Sequence, residues 1–486
     1  MKLLPHLLAS FLAIAAISLH AGETLPLKSV NKANEVIDSA IAAHGGAEKL
    51  AALNSLAQEG AFTNYAVNQS RSPNPPWDQS LASNSSAIDF EKKIFVTRNS
   101  GSAGGFDFDG ETIIKGDESW QIDFRAGTVA PVAQPDFNTT SGPFIRVTPA
   151  LLMKQLQNRR HVSNWLGEVA IEGRPHDVIT LVMEVGPSLS LYIDQETHML
   201  TRMERALPPF GQVEYRFEDY ETIDGIPFNR TFHLLINGDA NIDIVNSNTR
   251  VNVPVEEYTV VADKLEEIPE VTPDDFNLQE IAEGVFLVGG TGAYGLIVEM
   301  NDYLVAIGGT QGAAARIEEA GKHVSGKPVR YGVLTHHHSD HIPAAADYAK
   351  EGATIITFRE NEDIVREAAG DENAKLEFVD ERMTLTDGAR SVELIDIGPT
   401  PHAEHILIAY LPQEGIVFEA DHFPQPPTGP LPPAVPATFA LAEALAELEL
   451  DYTMITGAHS RRISGPADLK AVISAGSKSA TGAGAQ

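Results

Sequence analysis

Residues 329–341 read VRYGVLTHHHSDH and indicate the fold of the C-terminal half of the chain. The first seven of these residues form a mostly apolar, β-branched run, which predicts a buried strand. The polar run that follows contains His336, His338, Asp340 and His341. A loop that leaves a strand can direct alternate side chains into one cavity, so we expect these four side chains to converge.

These residue types suit a divalent metal ion. Neutral imidazoles and carboxylates are ligands of zinc and of other borderline divalent ions. The chain contains no cysteine, which excludes disulfides, thiolate ligands and a cysteine nucleophile. The alternative interpretation is a solvated polar turn or a chance cluster of histidines.

Three further candidate ligands lie beside predicted strands downstream. His402 precedes one such strand, while Asp421 and His459 each follow another. His405 competes with His402 for the first of these positions. Each residue alone is more typical of a satisfied polar side chain, but the set, in this order and beside strand ends, predicts one common site.

The surrounding sequence alternates between strands and helices. Strands are predicted at residues 284–288, 296–299, 303–307, 329–335, 354–358, 391–397, 406–411, 416–419 and 452–456, and helices near residues 313–322, 343–350 and 438–449. This alternation is typical of an α/β domain whose helices cover its sheets. Residues 290–295 match G-x-G-x-x-G, but no helix follows them, so the pattern predicts a hairpin turn rather than a dinucleotide site.

The pattern H-x-H-x-D-H at residues 336–341 is followed by PHAEH at 401–405, FEAD at 418–421 and ITGAH at 455–459. In these motifs and their order, residues 280–465 resemble the metallo-β-lactamase superfamily of hydrolases. The resemblance implies an αββα sandwich that binds two divalent ions, with zinc the first expectation and iron or manganese the alternatives.

The resemblance also implies a role for each matched residue. One ion would be held by His336, His338 and His402, and the second by Asp340, His341 and His459, with Asp421 bridging both. A metal-bridging hydroxide would attack the substrate. Asp340 would be catalytic, because it can orient that nucleophile and pass a proton to the leaving group.

The sequence departs from the superfamily pattern at two places. Ala458 stands between Gly457 and His459, whereas a glycine usually precedes this histidine directly. Gly308-Gly309 follow a predicted strand where many relatives have an aspartate. Loss of that carboxylate is expected to weaken the support of a metal ligand.

The branch within the superfamily is only partly indicated. Asp421 and the absence of cysteine resemble the glyoxalase, lactonase and related esterase branches, and exclude the β-lactamase subclasses that need a cysteine ligand. Phe423-Pro424 stand where lactonases place a tyrosine. The Pro-rich residues 424–436 predict a stiff rim suited to an apolar small-molecule substrate, with a purely structural loop as the equal alternative.

Residues 22–265 predict a second domain, rich in antiparallel β-structure, that begins with a helical segment at residues 31–57. Residues 68–86, rich in Ser, Asn and Pro, predict a mobile loop. Three turn motifs, AHGGA at 43–47, YIDQET at 192–197 and DGIP at 224–227, resemble lipoprotein-carrier (LolA-like) β-folds. The resemblance implies an apolar cavity for a lipid-like ligand; packing or dimerisation, giving a homo-oligomer, is the alternative.

The net charge and the N-terminal segment indicate the partners and the localisation of the protein. The formal charge of −32 repels phosphate backbones, which disfavours nucleic acid as a partner. Residues 1–21 combine Lys2, an apolar run and a Leu19-His20-Ala21 end, which predicts a cleaved signal peptide and a periplasmic or secreted protein. A membrane anchor is the alternative, but the run is shorter than the ~20 apolar residues that a span needs.

The sequence therefore predicts a two-domain protein of mixed α+β and α/β class. The expected order is a signal peptide (1–21), the β-rich domain (22–265), a linker (266–279), the metal hydrolase domain (280–470) and a disordered tail (471–486). The expected function is an exported dinuclear-metal hydrolase that cleaves an ester, lactone, thioester or amide. The alternatives are an iron-dependent sulfur oxygenase of the same fold and a non-catalytic carrier of metal or lipid.

Overall fold

The computed structural model describes residues 24–133, 136–208, 211–259, 264–270, 275–324 and 326–482. The predicted signal peptide lies outside these ranges, so export stays a prediction. Within the described ranges, no helix combines the length and apolarity that a membrane crossing requires.

Fourteen strands of the described residues form one sheet in the order β14-β6-β5-β4-β3-β2-β1-β13-β12-β11-β10-β9-β8-β7. Their bounds are β1 Ser55–Tyr65, β2 Gln79–Asp89, β3 Ile94–Ala103, β4 Phe106–Lys115, β5 Glu118–Asp123, β6 Thr128–Pro131, β7 Trp165–Ile171, β8 Arg174–Val182, β9 Ser188–Asp194, β10 Leu200–Leu207, β11 Gly211–Ile223, β12 Ile226–Ile236, β13 Asp239–Val251 and β14 Glu266–Glu267. Short turns join most consecutive strands, so these neighbours pair antiparallel. β14 returns from further along the chain and lies parallel to β6.

Four helices accompany this sheet: α1 Leu25–Ala43, α2 Ala47–Ala52, α3 Phe137–Arg146 and α4 Pro149–Arg159. α1 buries Ala33, Val36, Ile37, Ala40 and Ile41, which share one face because helical neighbours recur every three or four residues. This face packs with α4 against apolar side chains of the sheet. The sequence predicted one helical segment in this region and no helices at α3 and α4.

His44, which ends α1, is fully buried in this core. Its Nδ1 donates to the carbonyl oxygen of Ala40 over 2.8 Å, and its ring meets that of Tyr220 edge-on. Burial disfavours the charged imidazole and lowers the pKa of His44 to about 4, although the bond to Ala40 acts in the opposite direction.

This lowered pKa predicts an acid-sensitive N-terminal sheet. Between pH 6.5 and pH 4 the unfolded chain binds a proton at His44 that the folded chain does not, so the stability falls as the pH falls. The expected loss between pH 7.5 and pH 5 is about 2 kcal/mol. We expect His44→Gln to remove this part of the pH dependence in urea unfolding, whatever its effect at pH 7.5. An equal pH dependence in both proteins would contradict the assignment.

The remaining strands of the described residues form two sheets, ordered β15 to β21 and β22 to β27. The first contains β15 Asn277–Ala282, β16 Val285–Gly290, β17 Ala293–Glu299, β18 Leu304–Ile307, β19 Val329–Val333, β20 Thr354–Thr357 and β21 Leu376–Phe378. The second contains β22 Arg382–Thr386, β23 Ser391–Asp396, β24 Leu407–Leu411, β25 Ile416–Glu419, β26 Met454–Gly457 and β27 Ser460–Ser464. The seven-stranded sheet begins with antiparallel strands and ends with parallel ones, whereas the six-stranded sheet is antiparallel except for the pair β25 and β26.

Helices cover the outer faces of these two sheets, giving four layers. α5 Ala313–Gly321, α6 Ala344–Lys350 and α7 Glu362–Ala369 pack against the seven-stranded sheet, and α8 Pro436–Glu447 and α9 Pro466–Gly482 against the six-stranded sheet. A third core, which includes Leu296, Val333, Leu394 and Phe418, fills the space between the two sheets. The chain is thus a mixed, sheet-rich α+β protein.

The G-x-G-x-x-G match forms the hairpin that the sequence predicted. Gly290 pairs with Ala293 in the antiparallel register of β16 and β17. Without a helix after this turn, no helix N-terminus faces the place where a phosphate would bind.

Three predictions about connecting segments need correction. Residues 79–86 of the predicted mobile loop belong to β2. The predicted linker contains β14 and the start of β15, and its residues 271–274 lie outside the described residues. The predicted disordered tail is wrong for residues 471–482, which continue helix α9. Small residues in this tail concealed the helix, because alanine is both small and the strongest helix former.

Candidate metal centre

The His336–His341 run lies where the chain leaves β19 and approaches α6. Leu334 and Thr335, both buried, follow the end of β19 at Val333. The amide of His341 donates to the carbonyl oxygen of His338 over 2.8 Å. This tight turn directs the side chains of the run towards the edge where the two central sheets meet. The amide of Leu407 in β24 donates to Thr335 over 2.8 Å and ties the second sheet to this edge.

The later candidates reach the same edge from the second sheet. His402 lies in the loop between β23 and β24, Asp421 two residues after β25, and His459 in the turn between β26 and β27. β25 and β26 are parallel neighbours, so their ends present Asp421 and His459 side by side.

The structure brings all seven predicted ligands together in two groups. Within each group the possible ligand atoms lie within 4.8 Å of one another. The first group contains His336, His338, His402 and Asp421, and the second contains Asp340, His341 and His459. Asp340 and His459 are about half exposed, whereas the remaining histidines are buried.

The carboxylate of Asp421 lies between the two groups. Its Oδ2 is 3.2 Å from Nε2 of His336 and 3.0 Å from Nε2 of His402. Its Oδ1 is 3.1 Å from Nε2 of His341 and 2.7 Å from Nε2 of His459. Each oxygen of Asp421 therefore faces the histidines of a different group.

The unpaired atoms of this cluster fit metal ions. Among the described residues, the buried Nδ1 of His338 makes no hydrogen bond, and the neighbour of Nε2 of His336 is the Asp421 carboxylate at 3.2 Å. A buried polar atom without a partner is costly unless it binds something. Nitrogen and carboxylate donors without sulfur suit zinc and similar divalent ions, so the seven side chains fit a pair of such ions.

The electrostatics of the first group keep its imidazoles neutral. Burial lowers the pKa of His336 well below its usual value and lowers that of His338 to about 3. Both rings therefore present a lone pair at neutral pH, as ligand binding requires.

The second group instead contains a protonated histidine. Burial opposes the charge on His341, but Asp421 and Asp340 outweigh it and raise the pKa of His341 to about 10. Burial likewise opposes ionisation of Asp421, yet the charge of His341 and hydrogen bonds from neighbouring histidines hold its pKa well below the usual value. A cation that binds here replaces the proton of His341, so binding releases protons near neutral pH.

Two loops of the N-terminal sheet hold the outer nitrogens of these histidines. The carbonyl oxygen of Ser70 accepts from Nε2 of His338 over 2.9 Å and from Nε2 of His337 over 2.8 Å. The carbonyl oxygen of Gly104 accepts from Nδ1 of His402 over 3.0 Å. These bonds fix the tautomers and leave Nδ1 of His338 and Nε2 of His402 for the centre.

A third contact reaches Asp340. Nε2 of Gln69 donates to Oδ1 of Asp340 over 2.8 Å and to Oγ of Ser339 over 3.0 Å. These N-terminal contributions were not predicted from the sequence, in which the loop of Gln69 and Ser70 has the composition of a mobile segment. No motif in the sequence identifies these contacts, because two of them are made by main-chain oxygens, which every residue has.

Two neighbouring histidines have other roles. Nδ1 of His405 lies 2.6 Å from Oδ2 of Asp396, outside both groups, which leaves His402 as the candidate of that pair. His422, the residue after Asp421, is also in neither group. It is fully buried, with its Nε2 3.0 Å from Oγ1 of Thr400, and burial lowers its pKa to about 3.

Gly308 and Gly309, which follow β18, are glycines for a steric reason. A Cβ on Gly309 would lie 1.5 Å from the carbonyl oxygen of His341 and 2.4 Å from its carbon. Gly308 has a φ of +112° and lies against Gly295 and Phe418. An aspartate has no room here, because the main chain of His341 occupies the space.

We therefore expect Gly309→Ala to displace His341. Overpacking should lower the free energy of unfolding by about 1–3 kcal/mol, and the displaced ligand should weaken metal binding about 10–100-fold. Urea unfolding and zinc titration against a chromophoric chelator measure the two effects. Gly321→Ala is the matched control, because nothing lies within 4 Å of the added Cβ. Equal behaviour of the two variants would contradict this explanation.

A cavity of about 390 Å³ opens above the two groups. Its floor contains Asp340, His402, Asp421 and His459, and its walls come from both halves of the chain: Gln69, Phe106, Glu419, Ala420, Phe423, Pro424, Gln425, Gly457 and Ser460. The Pro-rich segment predicted as a rim thus contributes its first residues to the wall. A volume of this size suits a small molecule.

Residues 263–459 match the family model of the metallo-beta-lactamase superfamily. The C-terminal part of the chain therefore carries a domain of this superfamily, as the sequence motifs predicted. No curated protein matches the chain. The lipoprotein-carrier resemblance of the N-terminal part stays a prediction.

Several solved structures are similar to part of the chain. The metallo-beta-lactamase FIM-1 from Pseudomonas aeruginosa in its mono-zinc form is 20% identical, with 42% of this chain and 96% of that chain covered and a TM-score of 0.33. A metallo-beta-lactamase from Pontibacter korlensis is 16% identical, with coverage of 42% and 99% and a TM-score of 0.35. The flavodiiron protein from Giardia intestinalis is 17% identical, with coverage of 43% and 60% and a TM-score of 0.34.

Proposed function

We propose that this chain is an exported hydrolase whose metallo-beta-lactamase superfamily domain binds two divalent ions, zinc being the best suited, and cleaves an ester, lactone, thioester or amide. The observation that carries the proposal is the position of Asp421, whose two carboxylate oxygens each face the histidines of a different group. Two complete groups of donors favour a dinuclear centre over the single iron expected of a sulfur oxygenase.

Bound at these positions, the ions would supply Lewis acidity for the scissile carbonyl and a water acidic enough to act as a nucleophile at neutral pH. His336, His338 and His402 would hold one ion, and Asp340, His341 and His459 the other. The hydrogen bonds that His338 and His402 donate to the carbonyl oxygens of Ser70 and Gly104 keep these two rings in a fixed orientation before substrate arrives.

Asp340 is placed to handle protons at the cavity floor. Its Oδ2 lies 3.4 Å from Nε2 of His341 and 3.7 Å from Nε2 of His459, while Gln69 holds its Oδ1. Burial opposes ionisation, but His341 and Gln69 lower the pKa of Asp340 below its usual value. The ionised carboxylate can orient an attacking water and pass its proton to the leaving group.

The experiment is hydrolysis by the full chain, purified without added metal and assayed together with its metal content. The substrates are p-nitrophenyl esters, a lactone, a thioester, nitrocefin and bis-p-nitrophenyl phosphate. We expect two zinc ions per chain and cleavage of one carbonyl class, with no cleavage of the phosphodiester. A single iron per chain, or two zinc ions without hydrolysis of any carbonyl substrate, would refute the proposal.

A further inference from the structure

The cavity is closed on one side by the N-terminal sheet. Phe106 begins β4 at the tip of the β3–β4 hairpin, and its ring meets the ring of His402 edge-on with centroids 5.2 Å apart. Phe106 contacts the candidate ligand His402 and lines the cavity. Its ring would therefore contact a substrate bound there.

Main-chain bonds seat this hairpin on the metal domain. The carbonyl oxygen of Gly105 accepts from the amide of Ala437 over 3.0 Å, beside the bond from His402 to Gly104. Nearby, Nη2 of Arg125 donates to the carbonyl oxygens of Pro433 and Ala434 over 3.3 Å. The wall is therefore held in place independently of any substrate.

The neighbouring loop is held in the same way. The amide of Ser339 donates to the carbonyl oxygen of Asn68 over 3.1 Å, and the amide of Glu404 donates to that of Arg71 over 2.9 Å. Both N-terminal segments thus form a fixed part of the cavity.

Another part of the cavity wall is apolar and lacks positive charge. Phe423, which is buried, and Pro424 face the cavity there. None of the described residues that line the cavity is a lysine or an arginine. Arg71 and Arg462 on flanking segments are engaged, the first with Asp78 and the second with main-chain oxygens. An anionic group on the substrate would find no partner in these walls.

One polar side chain in this wall is unpaired. Gln425 is 6% exposed and lines the cavity, and neither its Oε1 nor its Nε2 has a hydrogen-bond partner among the described residues. A buried carboxamide without partners costs stability, which is offset when a ligand supplies a donor or acceptor.

We propose that Phe106 of the N-terminal sheet and Phe423 form a specificity wall for an uncharged substrate with a compact apolar acyl group, and that Gln425 hydrogen-bonds a neutral polar group of the same substrate. This inference rests on the proposed hydrolase function. It also gives the N-terminal sheet a direct role, since Phe106 reaches the site only because the hairpin is seated on the metal domain.

Two esters that differ in charge test the substrate class. Full-length metal-loaded protein is assayed with p-nitrophenyl butyrate and with mono-p-nitrophenyl succinate, whose acyl group ends in a carboxylate. We expect kcat/KM to favour the butyrate about 100-fold. An equal or greater kcat/KM for the succinate would overturn the inference.

Variants of Phe106 test the wall. Phe106→Ala should raise KM for the butyrate about 10-fold with little change in kcat, and Phe106→Arg should shift the preference towards the succinate. Phe276→Ala, which removes an exposed ring outside the cavity, is the matched control. Equal KM values for Phe106→Ala and Phe276→Ala would overturn the inference.

The variant Gln425→Leu distinguishes a role of Gln425 in substrate binding from a role in the stability of the fold. Removal of an unpaired buried carboxamide should leave Tm unchanged or raise it, while KM for the butyrate rises about 10-fold. A lower Tm with an unchanged KM would assign Gln425 a structural role and remove it from the proposal.

Binding of 2-heptanone, which cannot be hydrolysed, gives a readout that does not depend on turnover. Calorimetry should show about 10-fold weaker binding to Phe106→Ala than to the wild-type protein. If no carbonyl substrate is cleaved but this difference in ketone binding is found, the hydrolase proposal is refuted and the role of Phe106 in binding is supported. If esters are cleaved and the ketone binds both proteins equally, the proposed role of Phe106 is refuted and the hydrolase proposal is supported.

Discussion

Replacing Asp421 by asparagine is expected to lower kcat/KM by about 10³-fold or more, which corresponds to about 4 kcal/mol of transition-state stabilisation. Asparagine keeps the shape of the side chain but offers one oxygen instead of two, and it removes the charge that faces both groups of histidines. Kinetics on the best carbonyl substrate and the metal content of the same preparation measure the effect.

Asp243→Asn is the matched control for this change. Oδ1 of Asp243 lies 2.6 Å from Nδ1 of His233 in the N-terminal sheet, so the pair is also a carboxylate and a histidine. This variant should retain the metal and the activity. An Asp421→Asn protein that behaves like Asp243→Asn would show that Asp421 is not a ligand.

The second large effect is expected from removing one histidine on either side of Asp421. His402→Ala and His459→Ala should each release one of the two ions and lower kcat/KM by about 100-fold or more. The reason is that each variant leaves the opposite group of side chains intact. Titration with zinc against a chelator should show one tight site in each variant and two in the wild-type protein.

His405→Ala is the control for this pair, because it removes the same side chain three positions after His402. His405 lies beside Asp396 and outside both groups. Its loss should leave both ions bound. Loss of an ion from His405→Ala, with both retained in His402→Ala, would reverse the assignment of this ligand.

The convergence of the candidate ligands could be predicted from sequence because it follows from local rules. His336, Asp421 and His459 each come just after a strand of an α/β pattern, and the ends of parallel neighbours meet at one edge. The run at residues 336–341 also contains four candidates within one turn of the chain, so its geometry depends little on distant contacts.

The walls of the cavity could not be predicted in this way. Ser70 and His338 are 268 residues apart in the chain, and their contact uses a main-chain oxygen that every residue possesses. The loop of Gln69 is polar and Pro-containing, which is typical of mobile segments, but Gln69 docks it against Asp340 of the C-terminal domain. The packing of one sheet against another is tertiary structure, and it leaves no periodic pattern in the sequence from which it could be predicted.

The glycine pair illustrates the same limit. Gly308-Gly309 could be noted from sequence as a departure from the expected aspartate, with weaker support of a ligand as the predicted consequence. The position of the His341 main chain supplies a different reason, because it fills the space of any side chain at residue 309. Such close approaches become visible only when the fold is known.

Anomalous X-ray diffraction from crystals of the protein purified without added metal would locate the bound ions directly. We expect two peaks, one on each side of the Asp421 carboxylate, with the first among His336, His338 and His402 and the second among Asp340, His341 and His459. A single peak, no peak, or metal bound away from Asp421 would contradict this expectation.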